Sequence, residues 1–257
     1  REKEPIEKVQ PKNIADWEYT VDPETNTITI NKYKGTDTEV VVPNYIGDIP
    51  VKAISRTGVY NNSIWDDSIC DEVQIFSWNA RGQVTIEKII ISEGIEEIGN
   101  VAFIYSRKLK EVALPNSLKS VGNRAFEYCN NLANIKFSSS IVNIGIRAFG
   151  NCTSLNNVVI SSGVNNTVIG SGAFNYCNSI KNITIPNGVT KIDNEAFRGC
   201  RSLKYIEIPD SVTSMKEHVF MDISPDAQIT CDFASEPSGW NSKWTNCTNI
   251  VWKKASN

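Results

Sequence analysis

The dipeptide Ala-Phe recurs at Ala102-Phe103, Ala125-Phe126, Ala148-Phe149, Ala173-Phe174 and Ala196-Phe197, and a degenerate Val219-Phe220 closes the series. The phenylalanines are 23, 23, 25, 23 and 23 residues apart. Self-similarity at a period of this length confines a chain to architectures in which one supersecondary unit stacks on the next. Other columns keep the same phase. Three residues after Phe comes Cys129, Cys152, Cys177 and Cys200 in four copies, and six after it comes Leu109, Leu132, Leu155, Ile180 and Leu203. Nine after it stands Val112, Ile135, Val158, Ile183 and Ile206, and eleven after it Leu114, Phe137, Ile160, Ile185 and Ile208. Further on, Leu118, Ile141, Val164, Val189 and Val212 precede Val121, Ile144, Ile169, Ile192 and Met215. In the long repeat Val164 and Ile169 are five residues apart where the others have three, which puts a two-residue bulge within Asn165 to Val168.

Leu-x-x-Val-x-Leu reads as a short strand whose last two apolar residues alternate inward, followed by a Pro or Ser turn in most copies. Val-x-x-Ile-Gly reads as a second extended piece ended by glycine, and the residues before Ala-Phe as a single helical turn. One such unit cannot bury its own apolar face. Stacked units can, because each strand pairs with the next at about 4.8 Å and each Phe lies on its neighbour. The period therefore predicts a solenoid with one continuous core, in which Phe103, Phe126, Phe149, Phe174, Phe197 and Phe220 and the four column cysteines pack inside.

The copy from Leu109 to Cys129, LKEVALPNSLKSVGNRAFEYC, and the copy SIKNITIPNGVTKIDNEAFRGC from Ser179 to Cys200 resemble the BspA-type leucine-rich repeat. The resemblance covers residues 84–231, and extends more loosely upstream through Val40 to Pro43 and Ile49 to Ile54, with Val59 where Phe is expected. It implies a right-handed leucine-rich-repeat solenoid of mostly short parallel β-strands joined by helical or 3-10 turns. It also implies use in attachment of a bacterium to host proteins or to other cells.

An uncovered solenoid end is an aggregation site, so caps are expected. Trp17 to Val21 alternates, Asp22 to Asn26 is turn chemistry and Thr27 to Ile30 alternates again, which predicts a β-hairpin N-terminal cap. The stretch with Trp240, Trp244 and Trp252 is similar to the tail that follows the last repeat in the family, and Asn249 to Trp252 is expected to return as a final strand in a Trp-rich C-terminal cap. The expected organisation is a leader or linker stub at 1–16, a β cap and degenerate first coil at 17–59, an irregular insertion at 60–83, repeats at 84–231 and the C-terminal cap at 232–257.

The net charge of -3 argues against a partner held by its phosphates, so nucleic acid is not expected. No apolar run approaches the roughly 20 residues needed to cross a bilayer. The charged, proline-containing stretch from Arg1 to Lys12 reads either as the stub left by a removed secretion signal, with or without a lipid anchor, or as part of an internal fragment. A secreted or cell-surface location is expected.

Catalytic and metal chemistry finds little to build on. The one histidine, His218, sits in the variable part of the turn, where other repeats have Arg124, Arg147 or Glu195, and reads as solvent-facing. A single histidine leaves neither a His-based metal cluster nor a nucleophilic triad independent of it. The acidic pairs Glu96-Glu97 and Asp66-Asp67 point to opposite faces of extended chain. No enzyme, cofactor or metal is expected. The column cysteines read as buried free thiols, since parallel side chains in a stack hold their Cβ atoms too far apart for relaxed S–S geometry. Cys231 and Cys247 lie outside the column, either free or bridged to close the tail. Asn-x-Ser/Thr at Asn61, Asn151, Asn165, Asn182 and Asn246 reads as a by-product of composition.

The surface left for recognition is the outward side of the first strand column: Lys110 and Glu111, Asn134 and Lys136, Asn157, Lys181 and Asn182, and Lys204, Tyr205 and Glu207. Only Tyr205 belongs to the residue types that dominate protein hot spots. The 60–83 insertion, with Trp65 and Trp78 free of the repeat constraint, is the stronger candidate for local recognition. The expected function is an extracellular or cell-surface, adhesin-like binding module whose partner is a host or bacterial surface protein or a glycan. The alternatives are a rigid spacer within a larger surface protein and, last, an enzyme.

Overall fold

The computed structural model describes residues 5–55, 86–163 and 166–253. The expectations placed on Val59, Asp66-Asp67, Trp65, Trp78 and the rest of the 60–83 insertion, and on residues 164–165 of the long repeat, lie outside the described residues.

The chain is a parallel β-solenoid in which each coil contributes two short strands and a run of turns. The first wall carries β3 (Glu39–Val42), β6 (Lys88–Ile91), β8 (Glu111–Ala113), β10 (Asn134–Phe137), β12 (Asn157–Ile160), β14 (Asn182–Thr184), β16 (Tyr205–Ile208), β18 (Gln228–Cys231) and β19 (Ile250–Trp252). The second wall carries β2 (Thr27–Tyr33), β5 (Ile49–Ile54), β7 (Glu97–Ile98), β9 (Ser120–Val121), β11 (Asn143–Ile144), β13 (Thr167–Ile169), β15 (Val189–Ile192) and β17 (Ser214–Met215) in that order. Pairing along both walls is parallel and advances one coil per strand, for example Ile135 opposite Val158 and Ile206 opposite Ile229. The two walls meet at turns closed by i→i+3 bonds from Leu118 N to Pro115 O, Val189 N to Pro186 O and Val212 N to Pro209 O, so the Pro or Ser after each strand starts a turn.

The third wall is built differently from the single helical turn expected before each Ala-Phe. Its amides alternate between two tasks. Ala125, Glu127 and Cys129 donate within their own coil to Gly122, Arg124 and Phe126, at 3.3, 3.2 and 3.2 Å. Arg124, Phe126 and Tyr128 donate to Ile146, Ala148 and Gly150 of the next coil, at 2.8, 2.7 and 2.9 Å. An α-helix would keep all its amides to itself; overlapping i→i+3 turns leave every second amide free to bind the neighbouring coil. Left-handed φ values at Arg124 (54°) and Tyr128 (62°) orient the chain for this, and the same two positions recur around Phe149, Phe174, Phe197 and Phe220. Where a side chain of the preceding coil crowds such a position, glycine takes it: a Cβ on Gly199 (φ 73°) would stand 2.4 Å from Cδ1 of Tyr176. Among the described residues the one 3-10 helix is Ile14–Asp16 and there is no α-helix.

One apolar cluster runs from Trp17 to Trp244. Phe103, Phe126, Phe149, Phe174, Phe197 and Phe220 are each fully buried and stack in sequence, with ring centroids 5.0–5.4 Å apart and planes within 18°. At one end β1 (Trp17–Asp22) pairs antiparallel with β2 in a hairpin. At the other, Trp244 sets its edge against Phe220 at 6.1 Å, Trp240 donates from Nε1 to Val212 O at 2.9 Å, and β19 adds a last strand beside β18. Residues 7–10, inside the expected leader stub, are bound to the solenoid. The buried side chain of Asn44 accepts from Val9 N at 2.7 Å and donates to the carbonyls of Glu7 and Glu93 at 2.9 and 2.7 Å.

Candidate ligand-binding face

Period-2 alternation along each strand of the first wall turns the middle and last apolar residues inward and leaves the residues between them outside. Lys110, Glu111, Asn134, Lys136, Asn157, Lys181, Asn182, Lys204, Tyr205 and Glu207 are all exposed, Tyr205 at 60%. Parallel register lines them up in rows: Asn134 opposite Asn157, and Asn182 opposite Tyr205 and Gln228. Charge is uneven along the rows. Toward the N-terminus, ion pairs join Glu39 to Lys88 at 3.2 Å and Glu87 to Lys110 at 2.8 Å, and Lys110 holds the Glu87 carboxyl below the usual carboxylate range. From Asn134 onward amides and hydroxyls dominate.

The wall is interrupted at two places. Among the described residues no strand pairing joins β8 to β10 or β12 to β14, and a groove opens at each gap. The larger, of about 540 Å³, is lined by Asn157, Val159, Ser162, Asn182, Thr184 and Asn187 from the two coils that flank the gap, and continues past Glu207 to Asp232 and Lys253. The smaller, about 450 Å³, is lined by Asn116, Lys136, Ser138, Ser139, Ser140 and Ser161 with apolar flanks from β8. The larger groove lies in the long repeat. In this repeat Gly163 N donates to Asn187 O at 3.2 Å and Thr167 N to Gly188 O at 2.8 Å, so the chain there binds the following coil through its turn. Gly188 (φ 101°) is what allows the approach, because a Cβ there would stand 1.9 Å from the carbonyl oxygen of Gly163.

Of the residues singled out in sequence, the larger groove gathers Asn157, Asn182 and Glu207, and the smaller takes Lys136. Lys110, Glu111, Asn134, Lys181, Lys204 and Tyr205 line neither. Ser162, Asn187, Asp232 and Lys253 escaped sequence reasoning because they follow the strands, in turns whose direction the repeat pattern does not give; the 25-residue spacing was the available signal. Glu207 accepts from Oγ1 of Thr184 at 3.3 Å, and Lys253 pairs with Asp232 at 3.3 Å. The side-chain amides of Asn157, Asn182 and Asn187 make no hydrogen bond to the described residues.

Elsewhere the chemistry is structural. Each column thiol donates to the Phe carbonyl of the preceding coil: Cys129 to Phe103, Cys152 to Phe126, Cys177 to Phe149 and Cys200 to Phe174, at 3.1–3.3 Å. Burial pushes the Cys200 thiol up to about 12 and those of Cys129 and Cys177 well above the usual range. Cys231 and Cys247 are free thiols, so the bridge considered between them is not formed; Cys247 Sγ donates instead to Ala227 O at 3.2 Å. His218 is half-buried, with Nε2 3.5 Å from Oε1 of Glu217. Glu96 is tied to Lys52 at 2.9 Å and to Lys119, while the neighbouring Glu97 is exposed. Glu127, fully buried, lies 3.4 Å from both Arg124 Nε and Arg147 Nη1. Among the described residues no group of three or more His, Cys, Asp or Glu could hold a metal ion, and no helix is long and apolar enough to cross a membrane.

Two solved structures share this architecture. A leucine-rich repeat protein of T. pallidum is 26% identical, with a TM-score of 0.65 over 82% of this chain and 88% of that one. A leucine-rich repeat protein of Bacteroides ovatus is 19% identical, with a TM-score of 0.53 over 91% of this chain and 68% of that one, a likeness of fold alone. Among curated proteins none matches the chain in sequence. The sequence pattern described as the BspA type Leucine rich repeat region matches residues 74–168 and 167–251, in six copies. The chain belongs to the BspA-type leucine-rich repeat family.

Proposed function

We propose that the chain is a secreted or cell-surface binding module, adhesin-like, that attaches a bacterium to a host or bacterial surface molecule through the first strand wall. The observation that carries this reading is the division of labour in that wall. Its inward residues are committed to one continuous core, while its outward residues form long, exposed rows with no packing duty. A surface of this kind changes its side chains without cost to the fold, which is what a recognition scaffold requires. Many copies on one surface turn weak single contacts into firm attachment. Membership of the family supports the reading, and we assign the chain no catalytic role.

The test is binding of the purified chain to arrays of matrix proteins and glycans, together with adhesion of chain-coated beads to host cells. The expected result is saturable binding that Lys181→Ala with Tyr205→Ala weakens while the melting temperature stays the same. A variant lacking residues 60–83, and the double substitution Trp65→Ala with Trp78→Ala, ask whether the insertion contributes; loss of binding with unchanged melting assigns it a share. A chain that binds no protein, glycan or cell at all is a spacer, and the proposal fails.

A further inference from the structure

The larger groove has an unusual order: each coil it crosses brings a polar group to it. Asn157 in β12, Asn182 in β14 and Glu207 in β16, with Asp232 and Lys253 directly after β18 and β19, come from five consecutive coils along the solenoid axis. The step between coils is about 4.8 Å where strands pair, and in the aromatic column behind them the rings stand 5.4 Å apart from Phe174 to Phe197 and 5.3 Å from Phe197 to Phe220. We propose that this groove binds an extended, uncharged oligosaccharide lying along the axis, with one sugar unit per coil. The inference rests on the reading of the strand wall as a binding face and names the chemistry of its ligand.

Three physical arguments favour a sugar chain over a peptide. The first is period. A pyranose unit in an extended chain advances by a length similar to the coil step and presents its hydroxyls anew at each step. A peptide strand advances about 3.3 Å per residue and returns a side chain to the same face only after two residues, so it falls out of phase with the coils. The second is donor and acceptor character. The amides of Asn157, Asn182 and Asn187 are uncommitted and, like the hydroxyls of Ser162 and Thr184, both donate and accept, as sugar hydroxyls do. The third is composition: among the described residues no Arg, Trp or Tyr lines the groove, the types that dominate protein interfaces. Tyr205 stands at the rim, 60% exposed and in register with Asn182, and offers a flat ring to the C–H face of a sugar. Charge selects further. Lys253 is paired with Asp232, which among the described lining residues leaves Glu207 as the uncompensated charge, so sulfated or carboxylated glycans are disfavoured.

The test is calorimetric titration of the full chain with cellohexaose, xylohexaose and mannohexaose, with a heparin hexasaccharide as the anionic control. At least one neutral hexasaccharide is expected to bind, and its trisaccharide to bind more weakly because it spans fewer coils. Asn182→Ala and Tyr205→Ala should each weaken binding about tenfold, whereas Asn134→Ala, outside the groove, should leave it unchanged. Asn182 and Tyr205 are exposed, so their truncation does not threaten the fold, and a melting curve verifies this for each variant. Absence of binding by all three neutral hexasaccharides, binding indifferent to both substitutions, or binding of heparin alone overturns the proposal. If the chain binds only proteins on the arrays, the adhesive reading survives and this one falls; if it binds nothing, both fall.

Discussion

At the buried carbonyls of Phe103, Phe126, Phe149 and Phe174 two donors converge, the amide three residues on and the thiol of the next coil. Phe126 O accepts from Cys129 N at 3.2 Å and from Cys152 Sγ at 3.1 Å. A carbonyl has two lone pairs, and a small side chain with a weak donor fits beside it without displacing the stacked rings. This accounts for cysteine, rather than alanine, at the column position. The same burial disfavours the thiolate, the reactive form, and lifts the thiols of Cys129, Cys177 and Cys200 above their usual range. Cys129, Cys152, Cys177 and Cys200 are therefore expected to label slowly with a maleimide in the native protein, more slowly than half-buried Cys247, and to label alike in denaturant. Peptide mapping by mass spectrometry checks this; rapid native labelling of all four would contradict their burial.

The element that governs stability is the aromatic stack. Phe149 lies in its middle, 5.0 Å from Phe126 and 5.4 Å from Phe174, with Phe137 edge-on at 5.6 Å. These distances fall within the range of favourable ring pairs, and the neighbours on both sides are themselves pinned by cross-coil bonds from Phe149 N to Ala173 O and from Phe126 N to Ala148 O. The walls of a cavity at Phe149 could therefore collapse only in part. Phe149→Ala is expected to cost about 3 to 5 kcal/mol, read from urea melts; a loss under about 1 kcal/mol would show that the stack is not the main source of cohesion.

For the whole molecule, stability is a sum of coil and nearest-neighbour terms, so damage at one end should stay near that end. Trp244 closes the stack against Phe220, and Phe220 N donates to Trp244 O at 2.9 Å. Trp244→Ala should expose the last Phe and open the coils from about Phe197 onward. Hydrogen exchange is expected to rise in β16, β18 and β19 and to stay unchanged in β6 to β9. Uniform loss of protection along the chain would mean that the solenoid unfolds as a single unit and that the nearest-neighbour picture fails.

The period determined the stacking of coils and the two-strand coil, because a 23-residue unit with inward columns in fixed phase buries its apolar face only against its neighbours, while the family was legible in the resemblance of the copies Leu109 to Cys129 and Ser179 to Cys200. Two things needed the tertiary structure. The segment before each Ala-Phe reads as a helical turn because short-range patterns cannot distinguish a helix from overlapping turns; the choice is made by the amides of Arg124, Phe126 and Tyr128, which bond to the next coil and so cannot serve a helix. The grooves were likewise hidden. The extra two residues of the long repeat mark where regularity fails, but a sequence gives no direction to a turn. Only the stacked coils bring Asn187, Asp232 and Lys253 beside Asn157 and Asn182, because strand pairing stops between β12 and β14 while the core on the other side stays continuous.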